Sequence, residues 1–317
     1  MLKINRRAAL QIGAGLFGLS LPQALAAAGN RASASKDVSC IFIFLAGGPS
    51  QFETFDPKPN APVEIRGPWN PIQTNVPGTV ICEKLPLLAQ RMDKVSLIRS
   101  WQGKNGGHDL GSQHVASGFL PQRGGQYFPN FGCLISALQG SKVKGIPPHF
   151  GLPVAARYTT PPGYLGAAYD AFNIKGDPSQ NDLPVNQLNV PAGRFDERRS
   201  MLTQIEQLSE LNNSKSGPFA NHDRFADEAF AVLTGGAMAR AMKLGDEPTS
   251  LRERYGMNIY GQRVLLGRRL IEAGARFVTI NQAVQGGLFG EGTTNGTWDT
   301  HQLSFDSMMS LAHEPAN

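Results

Sequence analysis

The chain has 317 residues, with 30 Lys+Arg against 25 Asp+Glu and a formal charge of +5, and three of the surplus charges (Lys3, Arg6, Arg7) fall in an acid-free stretch over residues 1–26. The surplus of two on the rest is no footprint for a polyanion. With no Lys/Arg stripe and no basic patch interleaved with aromatics, nucleic acid is excluded as a partner class. Gly 36 and Pro 22 are high and charged residues are low at 17%, which predicts a loop-rich globular protein, and 41% apolar residues suffice for the core of one large domain.

Residues 1–26 have the three-part plan of an export leader. Lys3, Arg6 and Arg7 precede an apolar run from Ala8 to Leu21, and Ala24-Leu25-Ala26 offers a small-residue cleavage site. The pair in Asn5-Arg6-Arg7-Ala8-Ala9-Leu10 resembles a twin-arginine signal. That makes the twin-arginine export machinery a partner and the periplasm or the cell exterior the destination; an ordinary secretory leader and an uncleaved anchor are the alternatives. The 14 residues from Ala8 to Leu21 are too short to cross a hydrocarbon core of about 30 Å, so no stable membrane span is expected. Cysteines number three, Cys40, Cys82 and Cys133, with no CxxC spacing. Cys40 reads as a small buried side chain, and Cys82 and Cys133 as either a disulfide or free thiols.

Val38 to Ala46 is a continuous apolar, β-branched and aromatic run closed by Gly47-Gly48-Pro49. It predicts a strand buried on both faces of an α/β sheet. Residues 57–80 are Pro-rich and irregular, Leu85 to Met92 reads as a short helix, and Val95 to Arg99 as a second strand. A glycine-rich segment, Gly103 to Gly118, follows with His108 and His114, and residues 119–195 read as loops and short elements. Three helical patterns come next, Arg198 to Leu211, Asp223 to Lys243 and Leu251 to Ala273. The last ends at Gly274, a C-cap glycine, and runs into a strand over residues 275–280, the αβ unit of a layered sheet protein.

Three segments beyond inferred strands carry metal-capable or nucleophilic side chains: Ser50, Glu53, Thr54 and Asp56; His108, Asp109, Ser112 and His114; and Asp299 with His301. Carboxylates and imidazoles at strand ends suit divalent metal, which polarises esters and activates water. Each segment also has a bland reading: Asp56 before Pro57 as a turn start, the histidines as solvated or packing residues. His149 and His222 read as packing or surface residues. The chain has no GxSxG elbow, no GxGxxG and no P-loop, so an α/β-hydrolase triad and nucleotide binding have no anchor.

Five stretches resemble the domain of unknown function 1501 family in the family's order: LAGGPSQFETFDPKP (45–59), VICEKLPLLAQRMDKVSLIRS (80–100), GYLGAAYDAFNIKGDP (163–178), RERYGMNIYGQRVLLGRRLIEAGARFVTI (252–280) and WDTH (298–301). The resemblance implies an exported protein of the alkaline phosphatase-like, sulfatase-like superfamily. Its fold would be α/β, a mixed sheet between helical layers over residues 38–317. It implies a metal-dependent hydrolase of small-molecule or polysaccharide esters of phosphate or sulfate, with zinc, manganese or calcium as cofactor. Glu53, Asp56, Asp299 and His301 would bind the metal, and the segment with His108, Ser112 and His114 lies where a nucleophile is expected, with Ser117 as a second candidate. The sulfatase signature CxPxR is absent, which argues against an ordinary sulfatase. Family members usually continue well past WDTH, so the fold is expected to be incomplete at the C-terminus. A non-catalytic exported binding protein and an inactive truncated family member are the alternatives.

Overall fold

The computed structural model describes residues 37–46, 48–67, 69–120, 127–152, 162–180, 183, 228–233 and 236–282. The expected leader, the helix over Arg198 to Leu211, His222, Asp299 and His301 lie outside the described residues. No helix among those residues is long and apolar enough to cross a membrane.

Four parallel strands form the central sheet: β1 (Cys40–Phe44), β4 (His149–Leu152), β5 (Phe172–Asn173) and β6 (Phe277–Asn281), in the spatial order β1-β6-β4-β5. The hairpin of β2 (Pro71–Gln73) and β3 (Val80–Cys82) is antiparallel and separate. The helices are α1 (Val63–Arg66), α2 (Pro86–Ala89), α3 (His108–Ser117), α4 (Phe131–Gln139), α5 (Ala237–Met242), α6 (Thr249–Tyr255) and α7 (Ile259–Ala273). The chain is thus an α/β protein with a mostly parallel sheet and helices packed on it.

Side-chain alternation divides the sheet into two faces. Phe150, Leu152, Val278 and Ile280 point into the main core with Leu265, Leu266 and Leu270 of α7 and with Met238 and Met242 of α5. His149, Phe277 and Thr279 face the other way, toward α4. On the α7 side the approach is close: a Cβ on Gly267 would fall 2.8 Å from Ile280 Cδ1, so a larger residue there would have to push the tip of that side chain aside. Gly274 adopts the left-handed conformation at φ 116° and accepts the predicted C-cap role, after which the chain turns directly into β6.

The pattern over Leu251 to Ala273 is not one helix. α6 stops at Gly256, and Asn258 caps α7 by accepting from the N–H groups of Tyr260 and Gly261 at 3.1 and 2.9 Å. The fully buried Gln262 amide then ties the two helices, donating to Arg252 O and Gly256 O and accepting from Arg252 Nε. Arg269 anchors α5 to α7. Its guanidinium donates to Ala241 O and Arg240 O, carbonyls in the last turn of α5, and pairs with Glu247.

Two further expectations need correction, and the alternative left open for Cys82 and Cys133 is decided. β1 is a strand but is not buried on both faces. It pairs with β6 alone among the described residues, and Cys40, Ile41 and Ile43 are exposed. Val95 to Arg99 forms no strand and has no strand partner among the described residues; its Leu97 packs on the small core of Ile81, Ala89 and Met92 under the hairpin. Cys82 and Cys133 are both free and buried, so no disulfide joins them.

His149, expected as a surface or packing residue, is a packing residue. Its ring is 2% exposed, edge-on to Phe277, with Nε2 3.3 Å from Thr279 Oγ1 and Nδ1 4.0 Å from Cys133 Sγ. Burial pushes its pKa down from 6.5 to about 4 and pushes the Cys133 thiol up to about 12. Because the folded pKa of His149 lies below the unfolded one, the unfolded chain takes up the proton first. Stability therefore falls as pH drops from 6.5 toward about 4, by about 3 kcal/mol from this group. Urea unfolding of wild type and His149→Gln across that window should show the loss only in wild type; an equal loss in both would show that the ring is not sealed from water.

Candidate functional site

The four strands of the sheet are parallel, so their carboxyl ends share one edge, where ligands gather in open α/β sheets. β1 and β6 are neighbours in register, Phe44 opposite Asn281, and Gln282 N donates to Phe44 O at 2.9 Å. The chain beyond β1 and the chain beyond β6 leave the sheet side by side. The first holds Glu53 and Asp56; the second continues to Asp299 and His301.

The β1 loop is pinned on several sides. Thr54 Oγ1 donates to Ser50 O, Asp56 N to Gln51 O, and Cys82 N to Thr54 O, while Arg99 reaches over to donate to Phe55 O at 3.0 Å and Val80 O at 2.8 Å. The two carboxylates on this loop have opposite surroundings. Asp56 is paired with Lys58 at 2.7 Å and Arg99 at 3.4 Å. Glu53 is 4% exposed and its Oε1 has no hydrogen-bond partner; the backbone of Gly67 packs on it, so that a Cβ there would fall 3.0 Å from the carboxyl. Burial raises the Glu53 pKa, and a hydrogen bond from Ser50 only partly offsets it.

The second group of candidates stands on a helix rather than a loop, because residues 108–117 form α3. Ser112 and Ser117 are buried. The Ser117 hydroxyl closes the helix end with Gln113 O, Phe119 O and Phe119 N, a structural use of the group. His114 lies against Trp101, ring centroids 5.8 Å apart, and its Nδ1 is buried without a hydrogen-bond partner. Residues 108 and 112 stand one turn apart on α3. Among the described residues no three His, Cys, Asp or Glu side chains come together as a metal-binding group. Glu53, Asp56 and His114 therefore form no such group.

Asn281 and Gln282, absent from the candidate residues above, are buried, at 1% and 6% exposure. The available signal was the position: two polar residues closing an otherwise apolar strand at its carboxyl end. A cavity of about 460 Å³ opens at the amino end of β4, lined by Pro148, His149, Asp170 and Phe172 among others. None of the predicted site residues lines it, and it lies at the opposite edge from the carboxyl ends.

The unpartnered Glu53 oxygen yields a stability prediction. A carboxyl with a raised folded pKa loses stability as pH rises above its unfolded value of 4.5. In chelator-treated protein at neutral pH, Glu53→Gln should melt higher than wild type, by about 1 kcal/mol in unfolding free energy. A lower melting temperature for the variant would show that Glu53 Oε1 is satisfied in solution.

Comparison with known proteins adds the family and nothing finer. A family model described as a protein of unknown function, DUF1501, matches residues 37–316. No curated protein and no solved structure matches the chain. With nearly the whole length covered in one match, the chain belongs to the DUF1501 family.

Proposed function

We propose that the chain is an exported, metal-dependent hydrolase of phosphate or sulfate esters, built on an alkaline phosphatase-like fold. The observation that carries this reading is the register of β1 against β6. It sends the segment with Glu53 and Asp56 and the segment leading to Asp299 and His301 out from adjacent strand ends. Glu53 fits the role of ligand, since a buried carboxylate oxygen without a donor is a lone pair held ready for a cation.

In this reading Glu53, Asp56, Asp299 and His301 hold zinc, manganese or calcium. When bound, such an ion supplies Lewis-acid polarisation of the ester oxygens. The chain's own groups do the rest. Lys58 and Arg99 hold the Asp56 carboxylate in place, and Ser112 serves as nucleophile with His108, one turn away on the same helix, as proton acceptor, while His114, two residues further on, belongs to the other side of that helix. Substrates are small-molecule or polysaccharide esters, and residues 1–26 direct the folded chain through the twin-arginine machinery to the periplasm or the exterior.

One observation favours a second reading, a non-catalytic exported binding protein. Two cations already neutralise Asp56, which is how a structural carboxylate is held.

Metal analysis separates the two. The purified chain should carry a stoichiometric divalent ion and cleave a nitrophenyl phosphate or sulfate. Asp299→Ala should lower both metal affinity and turnover by about 10-fold to 100-fold. A fully folded chain that binds no metal and is indifferent to Asp299→Ala would leave the binding-protein reading. For export, a reporter fused to residues 1–30 should lose transport when Arg6-Arg7 becomes Lys-Lys; continued transport would identify an ordinary secretory leader.

A further inference from the structure

α7 presents Arg263, Gly267, Leu270 and Gly274 along one stripe, at the spacing of a helix face. Gly267 locates that face, because its Cβ position meets Ile280 and Val278 of β6. Arg263 stands one turn earlier, about 6 Å along the axis. Since the chain reverses at Gly274 to enter β6, moving toward the start of α7 means moving toward the carboxyl end of β6. About 6 Å is two strand residues, which puts Arg263 level with Gln282. Alternation places Gln282 on the same side of the sheet as Ile280.

Arg263 is 6% exposed, yet its guanidinium makes no hydrogen bond or ion pair among the described residues, and Nη1 is buried without a partner. Asp177, in the turn beyond β5, acts on it through its charge, but the Asp177 carboxylate accepts instead from Ser179 N and Oγ at 2.8 and 2.7 Å. Burial works against the charge on Arg263 and Asp177 only partly restores it. A lysine in such a place escapes by losing its proton. A guanidinium does not, so the arrangement is completed only by an anion that reaches it.

We propose that Arg263 is the receptor for a tetrahedral oxyanion, phosphate or sulfate in type, that enters beyond the carboxyl end of β6. The planar fork of the guanidinium matches two oxygens of such a group. Two elements meet α7 on this side: the turn after β5, whose Asp177 acts on Arg263 through its charge, and β6, which packs along the helix and whose alternation sets Gln282 level with Arg263. Asp177, facing the cation without bonding it, limits how tightly an anion is held and so favours exchange over trapping. The choice of phosphate or sulfate over a carboxylate rests on the ester-hydrolase reading above; the need of Arg263 for an anion does not.

The test uses the full chain treated with chelator, so that no metal holds the anion, with inorganic phosphate and sulfate as probes and chloride balancing ionic strength. Wild type should gain melting temperature saturably with either anion. Arg263→Met should lose that gain and melt higher than wild type in chloride alone, because an unpaired buried charge is gone. Arg263→Lys, which keeps the charge and loses the fork, should bind phosphate about tenfold more weakly by calorimetry. No saturable effect in wild type, or an undiminished one in Arg263→Met, overturns the proposal. If Arg263→Met does not fold, undiminished affinity in Arg263→Lys overturns it instead. A chain without metal or turnover that still binds phosphate through Arg263 would sink the hydrolase reading and keep the receptor. An active, metal-loaded chain whose phosphate affinity ignores Arg263 would do the reverse.

Discussion

The in-register parallel pairing of β1 with β6 is the constraint on which the rest of the structure depends. It joins residues 40–44 to residues 277–281, and Ser39 Oγ donates to Ala275 O across a separation of 236 residues. β6 is also the strand that β4 pairs with and the strand that α7 covers, so its side chains are buried on both faces: Phe277 toward His149, Val278 and Ile280 toward the main core. Without β6, β1 loses its partner among the described residues, β4 and β5 are left as a short pair, and the chain after β1 and the chain after β6 no longer leave the sheet side by side.

What the sequence made legible follows from where local pattern suffices. The unit α7, Gly274, β6 is readable because helical periodicity, a C-cap glycine and a β-branched run occur in immediate succession. β1 is readable as a strand, but its apolar run reports composition and not neighbours, so nothing in Val38 to Ala46 reveals that Ile43 is 46% exposed. The pattern over Leu251 to Ala273 carries helical spacing across a break, and the break is set by Asn258 as a cap and Gln262 as a tie between helices. α3 was hidden for the opposite reason: Gly111 and Gly118 suggest a loop, while the backbone of residues 108–117 is helical. Val95 to Arg99 has strand composition, but a strand is made by a partner, and Leu97 instead finds apolar contact under the hairpin.

The site shows the same division. Glu53 and Asp56 are visible in the sequence as two carboxylates on one loop. Their difference is not, because it is created by residues far along the chain: Arg99 reaches Asp56, and Gly67 closes over Glu53. Arg263 is not legible from apolar periodicity, because it is a charge that shares a face of α7 with hydrophobic positions. Buried charge becomes visible only when the packing is known, and here it falls at the edge where the strands end.

The separation between β1 and β6 also has a meaning in time. The chain leaves the ribosome with β1 early, and at about 5–20 residues per second the partner strand follows roughly 10–50 s later. Throughout that interval Cys40 to Phe44 is an apolar segment with its backbone donors and acceptors unpaired, the kind of edge that other chains can adopt. The sheet is therefore completed only after β6 has emerged, and until then the nascent protein depends on whatever keeps β1 from pairing elsewhere.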